Sequence, residues 1–168
     1  MTACLADCLL ATRRLNLEYP MIWKPNTTVA AIVEQDGRFL LVEEETDDGI
    51  RLNQPAGHLE KGETLLQAVV RETSEETAYQ FVPDALLGVY HWQHPKKDIT
   101  YVRFAFIGSV SNHRPQQKLD EGIIRAVWLR RDEVAAREHE LRSPQVLTCI
   151  DDYLAGKSFP LQVLTHLS

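Results

Sequence analysis

The sequence predicts an α/β protein of the α+β type, in which a mixed sheet carries helices on its faces. Segments rich in β-branched residues are separated by turn signals such as Asp36-Gly37. A helix with its own capping signal begins after Thr64. Strands and helices then mix without the strict alternation that an all-parallel sheet requires.

The strands are predicted from β-branched runs and from the turns that bound them. The acidic run Glu43, Glu44, Glu45, Asp47 and Asp48 is interpreted as a solvated strand end and turn. Pro55 restricts residues 53–57 to a short strand or a loop, because proline cannot donate to a ladder. The other predicted strands are residues 27–33, 38–43, 85–92, 99–107 and 123–129.

Three helices are predicted. Thr64 and Gln67 form a capping box for a helix over residues 65–77. A short helix follows over residues 132–137. Ser143-Pro144 begins the last helix, which ends near Leu154 ahead of Gly156. The core-facing stripe of the first helix is Leu66, Val69, Val70, Thr73 and Thr77.

Composition limits the classes of function. The chain has 168 residues and a net charge of −6, which argues against non-specific binding to nucleic acid. No stretch approaches the roughly 18 apolar residues of a membrane span. The three cysteines Cys4, Cys8 and Cys149 fit no zinc spacing, so we expect a reduced, cytoplasmic protein. Residues 1–20 are expected to be a non-essential N-terminal extension, with the main domain over residues 21–168.

The most informative segment is residues 57–79. On a helix, Glu72, Glu75 and Glu76 fall within an arc of about 100°. Like charges this close are unfavourable unless a cation lies between them. Hard oxygen ligands favour Mg²⁺, Mn²⁺ or Ca²⁺. Arg71 lies four residues before Glu75 and can pair with it.

The spacing resembles the signature of the Nudix hydrolases. It consists of Gly57, five residues, Glu63, seven residues, Arg71-Glu72, two residues and Glu75-Glu76. A glutamate-rich helix is commonly just a solvated face, but six residue types at fixed spacing favour the signature. Ala78 stands where the family usually has glycine as a left-handed helix cap, which should cost about 1 kcal/mol.

The resemblance implies an α/β/α sandwich around a mixed sheet and Mg²⁺-dependent hydrolysis of a phosphoanhydride bond, with Mn²⁺ as a possible substitute. It implies that Glu72, Glu75 and Glu76 hold the metal, together with the backbone carbonyl of His58. Glu63 and Arg71 would support them. The expected proton acceptor is Glu76 or Glu72, and the alternatives are two acids of a polar loop, Asp120 and Glu121.

Within the family, residues 21–161 are similar to the bacterial NudJ branch. Matching stretches are Lys24-Pro25, residues 53–60, Arg103-Phe104 and residues 141–144. The similarity implies a small-molecule diphosphate substrate: thiamine diphosphate, its hydroxymethylpyrimidine diphosphate precursor, or nucleoside di- and triphosphates. Alternatives are a general nucleoside triphosphate pyrophosphohydrolase and a non-catalytic nucleotide-sensing module. We expect no nucleic acid or membrane partner, and a monomer or small homo-oligomer.

Three residues outside the signature are candidates for binding the substrate. Trp92 either stacks on a planar ring or packs in the core. Arg103 lies on an apolar strand, where it either pairs with an acid at the core edge or reaches a phosphate. Arg142 lies near the start of the last helix, where the helix dipole favours anions.

Overall fold

The computed structural model describes residues 23–167. The predicted extension, with Cys4 and Cys8, lies outside the described residues. Two short 3-10 helices, Glu138–Glu140 and Leu161–Val163, accompany the main elements. In chain order these are β1 (Asn26–Ile32), β2 (Glu34–Gln35), β3 (Arg38–Thr46), β4 (Gly49–Asn53), β5 (Ala56–His58), α1 (Leu65–Thr77), β6 (Gln80–Gln93), β7 (Thr100–Ser111), β8 (Ile123–Arg130), α2 (Arg131–Ala136), α3 (Gln145–Leu154) and β9 (Phe159–Pro160).

The strands form two sheets. The first has five strands in the order β5-β1-β7-β6-β9. It is mixed, because β1 and β7 run parallel whereas its other pairs are antiparallel. In the second sheet β3 pairs antiparallel with β2, β4 and β8. Mixed pairing is what the sequence predicted.

Helices cover both faces of the sheets. Val29 and Ala31 of β1 pack in one core cluster with Ala68 and Val69 of α1. Ile32 packs in a second cluster with residues of α2 and α3. Because successive strand residues point to opposite faces, α1 lies on one side and α2 with α3 on the other. This is an α/β/α arrangement.

Helix α1 begins as its sequence predicted. The Thr64 side chain accepts from the backbone N–H of Gln67 at 3.1 Å, and the Gln67 side chain accepts from the Thr64 N–H at 2.8 Å. Val69, Thr73 and Thr77 are buried, whereas the other two predicted stripe residues, Leu66 and Val70, are partly buried. The Thr73 hydroxyl donates to the Val69 carbonyl at 2.7 Å, so this polar residue has a partner in the core.

The interpretation of the acidic run as a solvated strand end and turn is correct for the exposed Glu45, Asp47 and Asp48 and wrong for the buried Glu43. β3 continues to Thr46 and pairs with β4, a strand that the sequence analysis missed. Glu43 is buried, and its carboxylate accepts from Arg125 at 2.7 Å and from Arg137 at 3.1 Å. Cations supplied by distant segments therefore make burial of this acid possible, and local sequence does not reveal them.

Several other boundaries differ from prediction. β6 is longer than expected and passes through Pro83, where the register with β7 shifts. A bulge lets proline lie within a strand without breaking the ladder elsewhere. α2 begins one residue earlier than predicted. Ser143 makes no side-chain capping bond to α3, which begins at Gln145 after Pro144.

The end of α1 gives a stability prediction. Ala78 has φ 58° and ψ 15°, the left-handed conformation that favours glycine. Ala78→Gly should therefore raise the free energy of unfolding by a net value of about 0.5–1 kcal/mol. The relief of backbone strain exceeds two losses, the removal of a buried methyl group and the greater freedom of the unfolded chain. Ala68→Gly is the control, because Ala68 is equally buried but helical, and it should lower stability by at least about 1 kcal/mol. Urea unfolding measures both; a loss of stability in both variants would contradict the cap assignment.

Candidate active site

The carboxylates of α1 gather beside β5. Carboxylate oxygens of Glu72, Glu75 and Asp120 lie within 4.8 Å of one another. The fourth acid, Glu76, lies outside this group of three, one helical turn beyond Glu72. Glu72 and Glu76 are 8% and 7% exposed, whereas Glu75 is only partly buried. Burying two acids on one helix face has a cost that a cation offsets.

Arg71 is the organising cation of this site. Its Nε and Nη2 donate to the two oxygens of Glu63 at 2.6 and 3.0 Å. Its Nη1 donates to Glu72 and to Glu75, both at 2.9 Å. Nη2 also donates to the His58 carbonyl at 3.1 Å. The bond to Arg71 lowers the pKa of Glu63, so this acid stays ionised and holds the guanidinium in place.

Glu76 has a different environment. Its Oε2 accepts the backbone N–H of Ala56 at 2.8 Å. Burial raises the pKa of the Glu76 carboxyl to about 9; the Ala56 N–H opposes this rise, and the charges of Glu72, Glu44 and Asp120 increase it. Burial also raises the pKa of Glu72, against the effect of Arg71. Without another cation, these two acids resist full ionisation.

Gly57 makes room for Glu72. A Cβ atom at Gly57 would lie 2.1 Å from the Glu72 carboxyl carbon, far inside van der Waals contact. The signature glycine therefore lets the carboxylate lie against the β5 backbone. Its φ is not in the left-handed region, so space rather than backbone conformation is what requires glycine here.

The two loop acids are separated by the structure. The Asp120 backbone N–H donates to the Glu75 carbonyl at 3.1 Å, which fixes this loop against the end of α1. Gln117 donates to the Ser74 carbonyl at 2.6 Å and strengthens the same attachment. Asp120 thereby joins Glu72 and Glu75, whereas the exposed Glu121 does not.

A cavity of about 230 Å³ opens on the other side of β5. Trp92, Arg103 and Arg142 all line it. Arg103 is buried and donates to Gln54 at 3.1 Å and to Asn53 at 3.4 Å, so its hydrogen-bond partners are amides rather than the acid considered from the sequence. The structure brings the three candidates together; their role in binding stays a prediction.

Several cavity residues were missed by the sequence analysis. Thr28 lies beside Arg103 in the β1–β7 register. Glu44 lines the cavity, and its Oε1 lies 3.5 Å from Nε of Arg142. Tyr101 stacks on Trp92 at 5.7 Å between ring centroids. Side chains alternate between the two faces of a strand, so Tyr101 and Arg103 lie on the same face of β7. This pattern in the sequence could have identified Tyr101 as a cavity residue.

Known proteins identify the family. The NUDIX domain model matches residues 23–148. The chain belongs to the Nudix family. Phosphatase NudJ of Escherichia coli strain K12 is 36% identical over 143 residues, which cover 85% of this chain and 92% of the relative. Phosphatase NudJ of Shigella boydii gives the same values. The predicted family and its NudJ branch are confirmed.

Solved structures agree with this assignment. A NUDIX hydrolase from Nitrosomonas europaea has 50% sequence identity and a TM-score of 0.84, over 86% of this chain and 98% of that one. A UDP-X diphosphatase, at 18% identity and a TM-score of 0.67, supports the fold alone. The Nudix fold and the enzyme class are therefore as predicted. Among residues 23–167, no helix is long and apolar enough to cross a membrane.

The contact between Gly57 and Glu72 is testable. In Gly57→Ala the new methyl group should displace the flexible Glu72 carboxylate, so kcat/KM should fall by about tenfold or more with little change in Tm. In a Glu72→Ala background the same change should cost nothing further, because the carboxylate is gone. Steady-state kinetics of the four proteins measure this coupling. Additive losses would show that Gly57 acts through another contact.

The loop acids give a matched pair of variants. We expect Asp120→Asn to lower kcat by about tenfold or more, because it removes one charge from the group with Glu72 and Glu75. Glu121→Gln makes the same chemical change at the next residue and should leave kcat within about twofold of wild type. If both variants keep the wild-type kcat, neither loop acid is the proton acceptor, and the acceptor would lie on α1.

Proposed function

We propose that this Nudix hydrolase catalyses Mg²⁺-dependent hydrolysis of the phosphoanhydride bond in a small organic diphosphate. The observation that carries the proposal is the carboxylate site on α1. Arg71 binds three acids, Glu63, Glu72 and Glu75, and two more, Glu76 and Asp120, lie close enough to Glu72 for their charges to interact with it. One positive charge does not balance them.

The donor set fits a divalent cation. Carboxylate oxygens and a backbone carbonyl are hard ligands, which favour Mg²⁺ or Mn²⁺ over metals that prefer nitrogen or sulfur. Glu72, Glu75 and Glu76 would hold the ion with the His58 carbonyl, and Asp120 is placed to join them. When bound, the cation would lower the pKa of a water ligand and neutralise charge that develops on phosphoryl oxygens.

Side chains of the protein would supply the other parts of the mechanism, which are the positioning of the ligands and the transfer of a proton. Arg71 and Glu63 fix the positions of Glu72 and Glu75 before substrate arrives, so little reorganisation is needed during reaction. We propose Glu76 as the proton acceptor. Without the cation, burial raises the pKa of Glu76 to about 9 and keeps it protonated at neutral pH, so the bound cation would have to lower this pKa before Glu76 accepts a proton. The Ala56 N–H holds one of its oxygens. Glu72 and Asp120 are the alternative acceptors.

For the substrate we propose thiamine diphosphate or its hydroxymethylpyrimidine diphosphate precursor, with nucleoside di- and triphosphates also cleaved. Similarity to the NudJ phosphatases supports a small phosphorylated molecule. The cavity supports it too, because it offers the stacked rings of Trp92 and Tyr101 and the cations Arg103 and Arg142. An aromatic ring and a phosphate group could both be held there.

A panel assay tests the proposal. Phosphate and pyrophosphate release would be measured with Mg²⁺ for thiamine diphosphate, its pyrimidine precursor and the nucleoside di- and triphosphates, with chelator as the control. We expect turnover of the organic diphosphates that chelator abolishes. Pyrophosphate release from nucleoside triphosphates alone would indicate a general pyrophosphohydrolase. Tight binding without any release would indicate a nucleotide-sensing module.

Replacement of Glu76 tests the metal and acceptor roles together. Glu76→Gln keeps the shape and an acceptor for the Ala56 N–H but removes the charge. We expect kcat to fall at least about a hundredfold, roughly 2.7 kcal/mol of barrier, while the fold survives. Glu138→Gln, at an exposed site in the Glu138–Glu140 turn, is the control and should keep full activity. A fully active Glu76→Gln enzyme would contradict both roles.

A further inference from the structure

The segment between β7 and β8, residues 112–122, lies against the C-terminal end of α1. Two of its backbone N–H groups bond to the helix end. Arg114 donates to the Ala78 carbonyl at 2.9 Å, and Asp120 donates to the Glu75 carbonyl at 3.1 Å. The last carbonyls of a helix lack partners within the helix, so this segment supplies them. Any residue other than proline could make these two bonds, because they use the backbone alone.

Gln117 makes a contact between these two, and it does so with its side chain. The Gln117 amide donates to the Ser74 carbonyl at 2.6 Å. Gln117 is partly buried, whereas residues 112–116 are exposed. Ordering a long side chain costs conformational entropy, which this hydrogen bond must offset. Of the three contacts, it is therefore the one that depends on the identity of the residue.

The Gln117 contact bears on Asp120, three residues further along the chain. Asp120 is exposed, yet its carboxylate lies within 4.8 Å of those of Glu72 and Glu75. Like charges this close repel one another, so the segment would move away from the helix unless it were held. The bond from Gln117 to Ser74 keeps the preceding turn on the helix and so supports the backbone bond of Asp120.

We propose that Gln117 is a positioning residue for the divalent cation. Gln117 does not bind the ion itself; its bond to Ser74 holds Asp120 where three carboxylates can bind one ion together. Without that bond the segment must be ordered when the cation binds, so the affinity for the cation falls. The inference rests on the proposed function, which places the cation at the α1 carboxylates.

A metal titration of the substrate-free enzyme tests this role. Gln117→Met keeps a side chain of similar length but removes the donor. We expect its dissociation constant for Mn²⁺, followed by electron paramagnetic resonance, to rise about three- to tenfold, as the loss of one hydrogen bond implies. The Tm in chelator should stay within about 2 °C of wild type, because the Ser74 carbonyl keeps its other partner, the Ala78 N–H.

Two further readouts separate positioning from a general loss of structure. The Mg²⁺ concentration that gives half of the maximal rate should rise by the same factor. In contrast, kcat at saturating Mg²⁺ should stay within about twofold of wild type, because excess cation itself draws Asp120 into place. Gln116→Met makes the same change at the exposed neighbouring residue and should match wild type in every measurement.

A double-mutant cycle shows whether Gln117 acts through Asp120. Asp120→Asn removes the carboxylate that Gln117 holds in place. In that background Gln117→Met should weaken Mn²⁺ binding no further. Losses of affinity that multiply in the double variant would overturn the positioning role.

The remaining outcomes separate the inference from the proposed function. A wild-type protein that binds no Mn²⁺ would overturn the proposed function, and the inference with it. Wild-type binding, with equal affinity in Gln116→Met and Gln117→Met, would overturn the inference alone. If Gln117→Met does not fold, Gln117→Ala removes the same donor with a smaller side chain and takes its place. Failure of both variants to fold would show that Gln117 supports the fold, and would overturn the positioning role.

Discussion

Helix α1 buries like charges on the face that also packs against the sheet, and this constraint shapes the rest of the site. Val69 and Thr73 are fully buried on the helix that also buries Glu72 and Glu76. Isolated carboxylates would be expelled from such a position or protonated. Three features offset the cost. Arg71 binds Glu63, Glu72 and Glu75, the Ala56 N–H binds Glu76, and the absence of a side chain at Gly57 leaves space for the Glu72 carboxylate.

β5 connects this site to the cavity. Gly57 faces Glu72 on one side and also lines the cavity with its neighbours Ala56 and His58. The His58 carbonyl accepts from Arg71, so the same three-residue strand contacts the carboxylate network directly. A substrate whose phosphates reach the α1 acids would have its organic part beyond this strand. The proposed chemistry and the proposed recognition of the substrate would then lie on opposite sides of this short edge strand.

Much of the site could be predicted from sequence because its signals are local. The capping box at Thr64, the spacing of Glu72, Glu75 and Glu76, and the left-handed position of Ala78 all follow from helical geometry within one segment. Long-range pairing could not be predicted this way. Glu43 is buried because Arg125 and Arg137 come from distant segments, and β4 was missed because its five residues give little local signal without their partner strand β3. Asp120 could not be separated from Glu121 because only the attachment of their loop to Glu75 distinguishes them.

A divalent cation should offset the cost of burying the α1 carboxylates. The most direct test measures the free energy of unfolding from pH 5 to 9, with chelator and with Mg²⁺. In the folded metal-free protein the pKa of Glu76 is raised to about 9 from an ordinary 4.5, so its contribution is complete below pH 4.5 and is lost as pH rises towards 9. We expect stability in chelator to fall by about 1.4 kcal/mol per pH unit relative to Glu76→Gln, and Mg²⁺ to restore it. Equal pH dependence of the two proteins in chelator, with no stabilisation by Mg²⁺, would contradict it.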